Sequence, residues 1–269
     1  MYEESTQRKM TIDEVVPRLI EIIDQGLISG MGNPIPGQLC VEAAVCLALG
    51  VEHSDMPTCV HGWLVRGMIC LNDQNWESVE VRANALRRLA ILQLGTNPRR
   101  FDTPLFDLED QVTFFREFSF HDFAKSLVVY LTRGRIADLV SEYIEKTPRE
   151  EDPEKRDPRW DTIVDSFRSV TSPYEAIDAL GSAAWIVERD GISRYDNVGL
   201  SGFLWCLFTI FGRANSMDFL NDVASQFAKL GGTREILHLI HAIEAVLIEM
   251  KVPGVKFLEL VPPTPAPEP

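Results

Sequence analysis

Apolar residues Val15, Val16, Leu19, Ile20 and Ile23 recur at intervals of three and four, which is the helical period and predicts a helix opening near residue 12. Thr11 and Glu14 have the spacing of a capping box, Pro17 delays or kinks the helix, and Gly26 stops it. Residues 29–37 hold three glycines and two prolines and read as a loop. A second helix over 39–49 is rich in small residues (Ala43, Ala44, Ala48) and ends at Gly50, and a short apolar segment follows at 63–71. Residues 78–94 predict a strong helix, with Val81, Ala85, Leu89 and Leu92 on one side and Gly95 at its end.

The helical period returns over 107–130, is broken at Gly134 and resumes at 136–144, as a hairpin or one kinked helix. Further helices are predicted over 160–170, 173–188, 198–211, 216–230 and 233–250. The 198–211 stretch is apolar all round and reads as a central helix buried on every side. It is shorter than the roughly 18–20 residues that span a bilayer. Few runs alternate with period two and no fixed repeat occurs, so the expected class is all-α, a multi-helix bundle.

Residues 1–10 are polar and predict a flexible N-terminus before a helical region over 11–146. Residues 147–159 contain three prolines, nine charges and no apolar side chain, and read as an exposed linker. A second helical region is expected over 160–251 and an extended proline-rich tail over 252–269. Pattern alone leaves open whether the two regions are one bundle or two subdomains.

The block between residues 34 and 95 resembles a group of uncharacterised bacterial and phage proteins. The matching segments are Gly37 to Ala44 (GQLCVEAA), Asp55 to Val60 (DMPTCV), Leu71-Asn72-Asp73 with Trp76 and Ser78, and Arg82 to Ala90 running on to Gln93-Leu94-Gly95. A weaker echo lies at Glu249 to Gly254. The resemblance implies helical structure and a bacterial or phage origin, and supplies no chemistry.

Composition narrows the function. Lys and Arg number 26 against 40 Asp and Glu, a net charge of −14, which repels phosphate backbones and anionic lipid, so neither general nucleic-acid binding nor membrane association is expected. Five cysteines, an odd number, point to a reducing, cytoplasmic setting. Against this acidity, Arg82, Arg87, Arg88, Arg99 and Arg100 form the densest basic segment, a candidate binding patch for an acidic partner or nucleotide unless acidic side chains of the same chain neutralise it.

Three constellations suggest metals. His121-Asp122 looks like the central motif of HD-domain phosphohydrolases, a likeness that makes His61 an earlier ligand and Asp178 a later one on a divalent metal, with His121 and Asp122 as catalytic residues. The alternative is ordinary helix surface. Cys40-x-Glu42 with Pro57-x-Cys59 is similar to elements of zinc nucleoside deaminases, and Cys40, Cys46, Cys59 and His61 are zinc-ligand types, although buried cysteines are more commonly core filling. Glu235-x-x-His238, extended by His241 and Glu244, has the spacing of ferritin-like ligands but lacks the second copy such sites need. The leading expectation is a non-enzymatic helical accessory or regulatory protein, without cofactor, that binds another protein; the alternative is an HD-like metal-dependent phosphohydrolase.

Overall fold

The computed structural model describes residues 11–97, 119–146, 158–189 and 198–267. The described residues are helical, with no strand beyond a single bridge between Gly32 and Leu39. Among them, no helix is long and apolar enough to cross a membrane. The chain divides into two compact units: Met1–Phe118 with Leu247–Ala266, and Ser119–Val246 with the last residues.

In the first unit, α1 (Ile12–Ile23), α2 (Val41–Leu49), α3 (Gly62–Asn72) and α4 (Val79–Leu92) pack around a common core. The predicted face of α1 is the buried one, with Val15, Val16, Leu19 and Ile23 all excluded from solvent. Its start is locked as the spacing predicts, the Thr11 amide donating to the Glu14 carboxylate at 2.9 Å. Ala43, Ala44 and Ala48 are fully buried on α2, so its neighbours approach closely. Gly50 closes α2 at φ 70°, a left-handed cap that a Cβ would strain.

The loop between α1 and α2 is pinned by Asn72. Its side-chain oxygen accepts from the Val41 amide at 3.2 Å, and its nitrogen donates to the Ile28 carbonyl at 2.8 Å. Asp73 accepts from the Ser29 hydroxyl and the Gly30 amide, and the Trp76 indole donates to the Leu71 carbonyl at 3.0 Å. The Asn-Asp-x-x-Trp segment therefore serves the fold by holding a loop more than forty residues upstream, as the sequence separations of 43 and 44 record.

The expected extended tail over 252–269 is corrected over its first part. Pro253–Leu260 forms a 3-10 helix packed on α4, and Val252, Gly254, Phe257 and Val261 are buried. Enough apolar side chains precede the prolines to offset ordering. Gly254 sits so close to α4 that an added Cβ would lie 2.2 Å from the Ile91 carbonyl oxygen. Gly254→Ala is expected to destabilise the first unit by about 1–3 kcal/mol, the usual cost of overpacking, measured by urea titration of tryptophan emission; an unchanged midpoint would contradict this packing.

The second unit comprises α5 (Phe120–Leu131), which continues through a π-helical turn at Thr132–Ile136 into α6 (Ala137–Lys146), a 3-10 turn (Pro158–Asp161), α7 (Ile163–Arg168), α8 (Pro173–Arg189), α9 (Val198–Phe211) and α10 (Phe219–Glu249). The break expected at Gly134 is a kink within one continuous helical path. The two helices expected over 216–250 are likewise joined, with a kink where Gly231 and Gly232 leave helical geometry. The largest contact is between α8 and α9.

The predicted partition is also corrected. Residues 119–146 group with the second unit, because α5 packs on α8, Tyr143 stacks with Trp160 at 6.1 Å, and Arg135 pairs with Glu235. The linker expected at 147–159 lies outside the described residues except for its last two positions, which begin the 3-10 turn. The flexible start over 1–10 is outside them as well.

Candidate functional site

The arginine patch is internal where it is described. Arg82, 8% exposed, donates to the Leu27 carbonyl at 2.8 Å. Arg87 pairs with Asp24, and Arg88 donates to the Leu258 carbonyl at 3.4 Å. These guanidinium groups join α4 to the end of α1, the loop after it and the C-terminal 3-10 helix. Arg99 and Arg100 lie outside the described residues.

The metal constellations are placed as follows. His61 precedes α3 in the first unit, its amide bonded to the Thr96 hydroxyl at 3.0 Å and its ring 5.4 Å from that of Trp63. His121, Asp122 and Asp178 belong to the second unit. His121 is exposed at the start of α5 and donates to the Asn215 side-chain oxygen. Asp122 is exposed beside it, its amide capped by the Ser119 hydroxyl, while Asp178 lines a groove on α8. No three His, Cys, Asp or Glu side chains among the described residues are grouped so as to hold a metal ion.

Cys40, Cys46 and Cys59 are buried, and burial pushes their thiols up to about 11, 12 and 12 respectively, which makes them poor nucleophiles. Cys40 caps α2, its sulfur accepting from the Ala43 amide at 3.3 Å. Glu42 is wholly buried in the first turn of α2. Burial raises its pKa well above the ordinary carboxylate range; the neighbouring Gln93 amide opposes the shift and the Asp55 charge adds to it. Cys46 and Cys59 are close enough to feel its charge. This is a buried polar cluster in the first unit's core, where burial disfavours the charged forms.

Glu235 is also buried, and its carboxylate is gripped at both oxygens by Arg135, at 2.8 and 2.6 Å. The third arm of Arg135 donates to Glu142 at 2.7 Å, which holds Glu142 below the usual carboxylate range. Burial, with Arg135 nearby, lowers the pKa of half-buried His238. Glu235 thus serves an ion pair rather than the ligand series its spacing suggests. Glu244 is buried and His241 half-buried on the same helix.

What pattern missed is the outer surface of α8 and α9. Expected to be wrapped on all sides, α9 instead exposes Gly202, Trp205, Cys206 and Thr209 along one stripe, Trp205 by 36%. No charge interrupts its fourteen residues. On α8, Trp185 is 44% exposed and Tyr174 80%. The Trp205 indole donates to Glu188 of α8 at 3.0 Å, and its ring meets Phe208 edge-on at 5.6 Å. Arg159 lies over the Trp185 ring, 4.9 Å from its centre. On the flank of α8 runs a groove of about 420 Å³, lined by Arg159, Ser166, Glu175, Asp178, Ser182 and their neighbours. The sequence signal was present in the two tryptophans at positions 185 and 205, but apolar composition does not distinguish an exposed helix face from a covered one.

No protein-family model, curated protein or solved structure matches the chain.

Proposed function

We propose that this chain is a non-enzymatic accessory or regulatory protein of a reducing, cytoplasmic setting that works by binding another protein, with the outer face of α8 and α9 as its contact surface. The supporting observation is Trp185 and Trp205, two large aromatic side chains held at the surface on adjacent helices beside an uncharged helical stripe. Tryptophan is strongly enriched among the few residues that dominate protein–protein affinity, and solvent-facing aromatic clusters gain free energy when covered. The five free cysteines and the net charge of −14 fit a reducing compartment and a protein rather than a nucleic-acid partner.

A photoreactive phenylalanine at exposed Thr209 is expected to crosslink a specific protein in cells expressing the full chain. That partner, purified, should bind the wild type at least tenfold more tightly than Trp185→Gln/Trp205→Gln, a difference of about 1.4 kcal/mol or more. Equal affinity for the two, with unchanged circular dichroism, would remove this face from the function.

A further inference from the structure

We infer that the partner presents a basic, extended segment to this face, its cationic side chains seated on Trp205 and paired with Glu188 and Asp178. The inference rests on the protein-binding reading above and specifies the chemistry of what is bound. Three observations lead to it.

The first is the charge of the face itself. Turning 100° per residue, α8 places Tyr174, Asp178, Ser182 and Trp185 within about 80° of its circumference. Among the described side chains, its exposed charges there and alongside are the carboxylates Glu175, Asp178 and Glu188, while Arg159 lines the adjoining groove. The neighbouring α9 contributes aromatic surface and no charge. Aromatic faces interleaved with carboxylates are complementary to guanidinium and ammonium groups, which gain from both the ring quadrupole and the ion pair.

The second is that the molecule already shows this recognition within itself, since the Arg159 guanidinium lies 4.9 Å over the Trp185 ring. Trp205 offers an equivalent ring, held in place by its indole bond to Glu188 at 3.0 Å. That bond also fixes the carboxylate beside the ring, so a cation stacked on the indole reaches Glu188 without rearrangement. Preorganisation of both groups lowers the ordering cost of binding.

The third is the groove beside α8. Its hydroxyls Ser166, Ser169 and Ser182, with Asp178 at its wall, suit the amides of an extended backbone. Glu188 and Asp178 are ten positions apart, about 15 Å along the helix axis. An extended strand covers about 3.3 Å per residue and alternates its side chains, so two cationic residues about four positions apart share one face and match the two carboxylates.

The test uses the purified full chain and an acetylated octapeptide with two arginines four residues apart in a glycine-serine background. Isothermal titration at low ionic strength is expected to show saturable one-to-one binding that weakens on raising salt. The same peptide with both arginines replaced by glutamate should show none. Glu188→Gln keeps an oxygen for the Trp205 indole while removing the charge, and should weaken binding at least threefold; Asp178→Asn should do likewise, and Trp205→Leu at least tenfold. Circular dichroism at 222 nm, unchanged in all three variants, keeps the comparison free of unfolding. Absent binding of the arginine peptide, equal binding of the glutamate peptide, or affinity unmoved by both Glu188→Gln and Trp205→Leu would overturn the inference. If the peptide fails while the crosslinked partner still requires Trp185 and Trp205, the basic-segment assignment falls and the protein-binding function stands.

Discussion

Glu42→Gln is expected to make the protein more stable near neutral pH, and by an amount that grows as the pH rises. Glu42 is fully buried among α2, α4 and the 51–61 loop, with Cys46, Cys59 and Gln93 around it. Burial therefore keeps the carboxyl protonated in the native state to a pH well above 4.5, its ordinary value. The sign follows directly: below pH 4.5 both states are protonated and the stabilisation is fully present, whereas above it the unfolded chain releases a proton that the native chain retains. Each pH unit in that interval costs about 1.4 kcal/mol, until the folded value is reached and the loss levels off.

Glutamine cannot ionise and fills the same space, so the variant is free of this term. Urea titrations of both proteins at pH 5, 6 and 7, followed by tryptophan emission, should show the stability difference widening with pH, by up to about 1.4 kcal/mol per unit while the native carboxyl keeps its proton. Parallel stability curves would show that Glu42 ionises at its ordinary pKa and would contradict the shift. Comparing the two proteins at each pH removes the contributions of every other titrating group.

The second large effect is expected at the ion pair of the second unit. Arg135→Met alone should destabilise the protein by about 3–5 kcal/mol, because it leaves the Glu235 carboxylate buried without its partner. Arg135 and Glu235 side chains are 6% and 4% exposed, so water cannot compensate either one. Arg135→Met combined with Glu235→Leu should recover most of that loss, since replacing both members of a buried pair by apolar residues is close to neutral. Double-mutant analysis of chemical denaturation would measure this, and additive losses in the double variant would contradict a direct pair. The surrounding backbone is arranged to permit the contact. Arg135 projects from the π-helical turn between α5 and α6, and a Cβ on Gly231 would come within 2.6 Å of the Glu235 side chain. The kink in α10 therefore keeps a space that only glycine leaves open.

Much of the architecture was legible in sequence because it follows from short-range rules. The helical period at Val15, Val16, Leu19 and Ile23, the Thr11–Glu14 spacing and the αL glycine at Gly50 each involve groups within a few residues, and each has its expected outcome. The same local rules account for the all-α class, and for the continuous helical path through Gly134, which was one of two alternatives. They failed at the C-terminal segment, where the prolines suggested an extended tail. There the deciding factor was the complementary surface of α4, which accepts Gly254 and Phe257.

The candidate site was less legible. The basic residues at 82, 87 and 88 left two readings open, a binding patch or internal pairing; the chain bends so that a carbonyl 55 residues away and a carboxylate 63 residues away meet two of them. The apolar character of α9 suggested complete burial, whereas Trp205 and its stripe face outward. The sequence by itself determined the helices, their caps and breaks, the acidity of the surface and the identity of the polar residues able to enter the core. Tertiary structure alone decided which of these polar residues meet, that Arg135 finds Glu235 across 100 residues, that Glu42 loses its solvent, and that Trp185 and Trp205 keep theirs. The physical reason is one of range: backbone hydrogen bonding and side-chain periodicity act over a few residues, while burial and charge pairing depend on which distant segment supplies the neighbour.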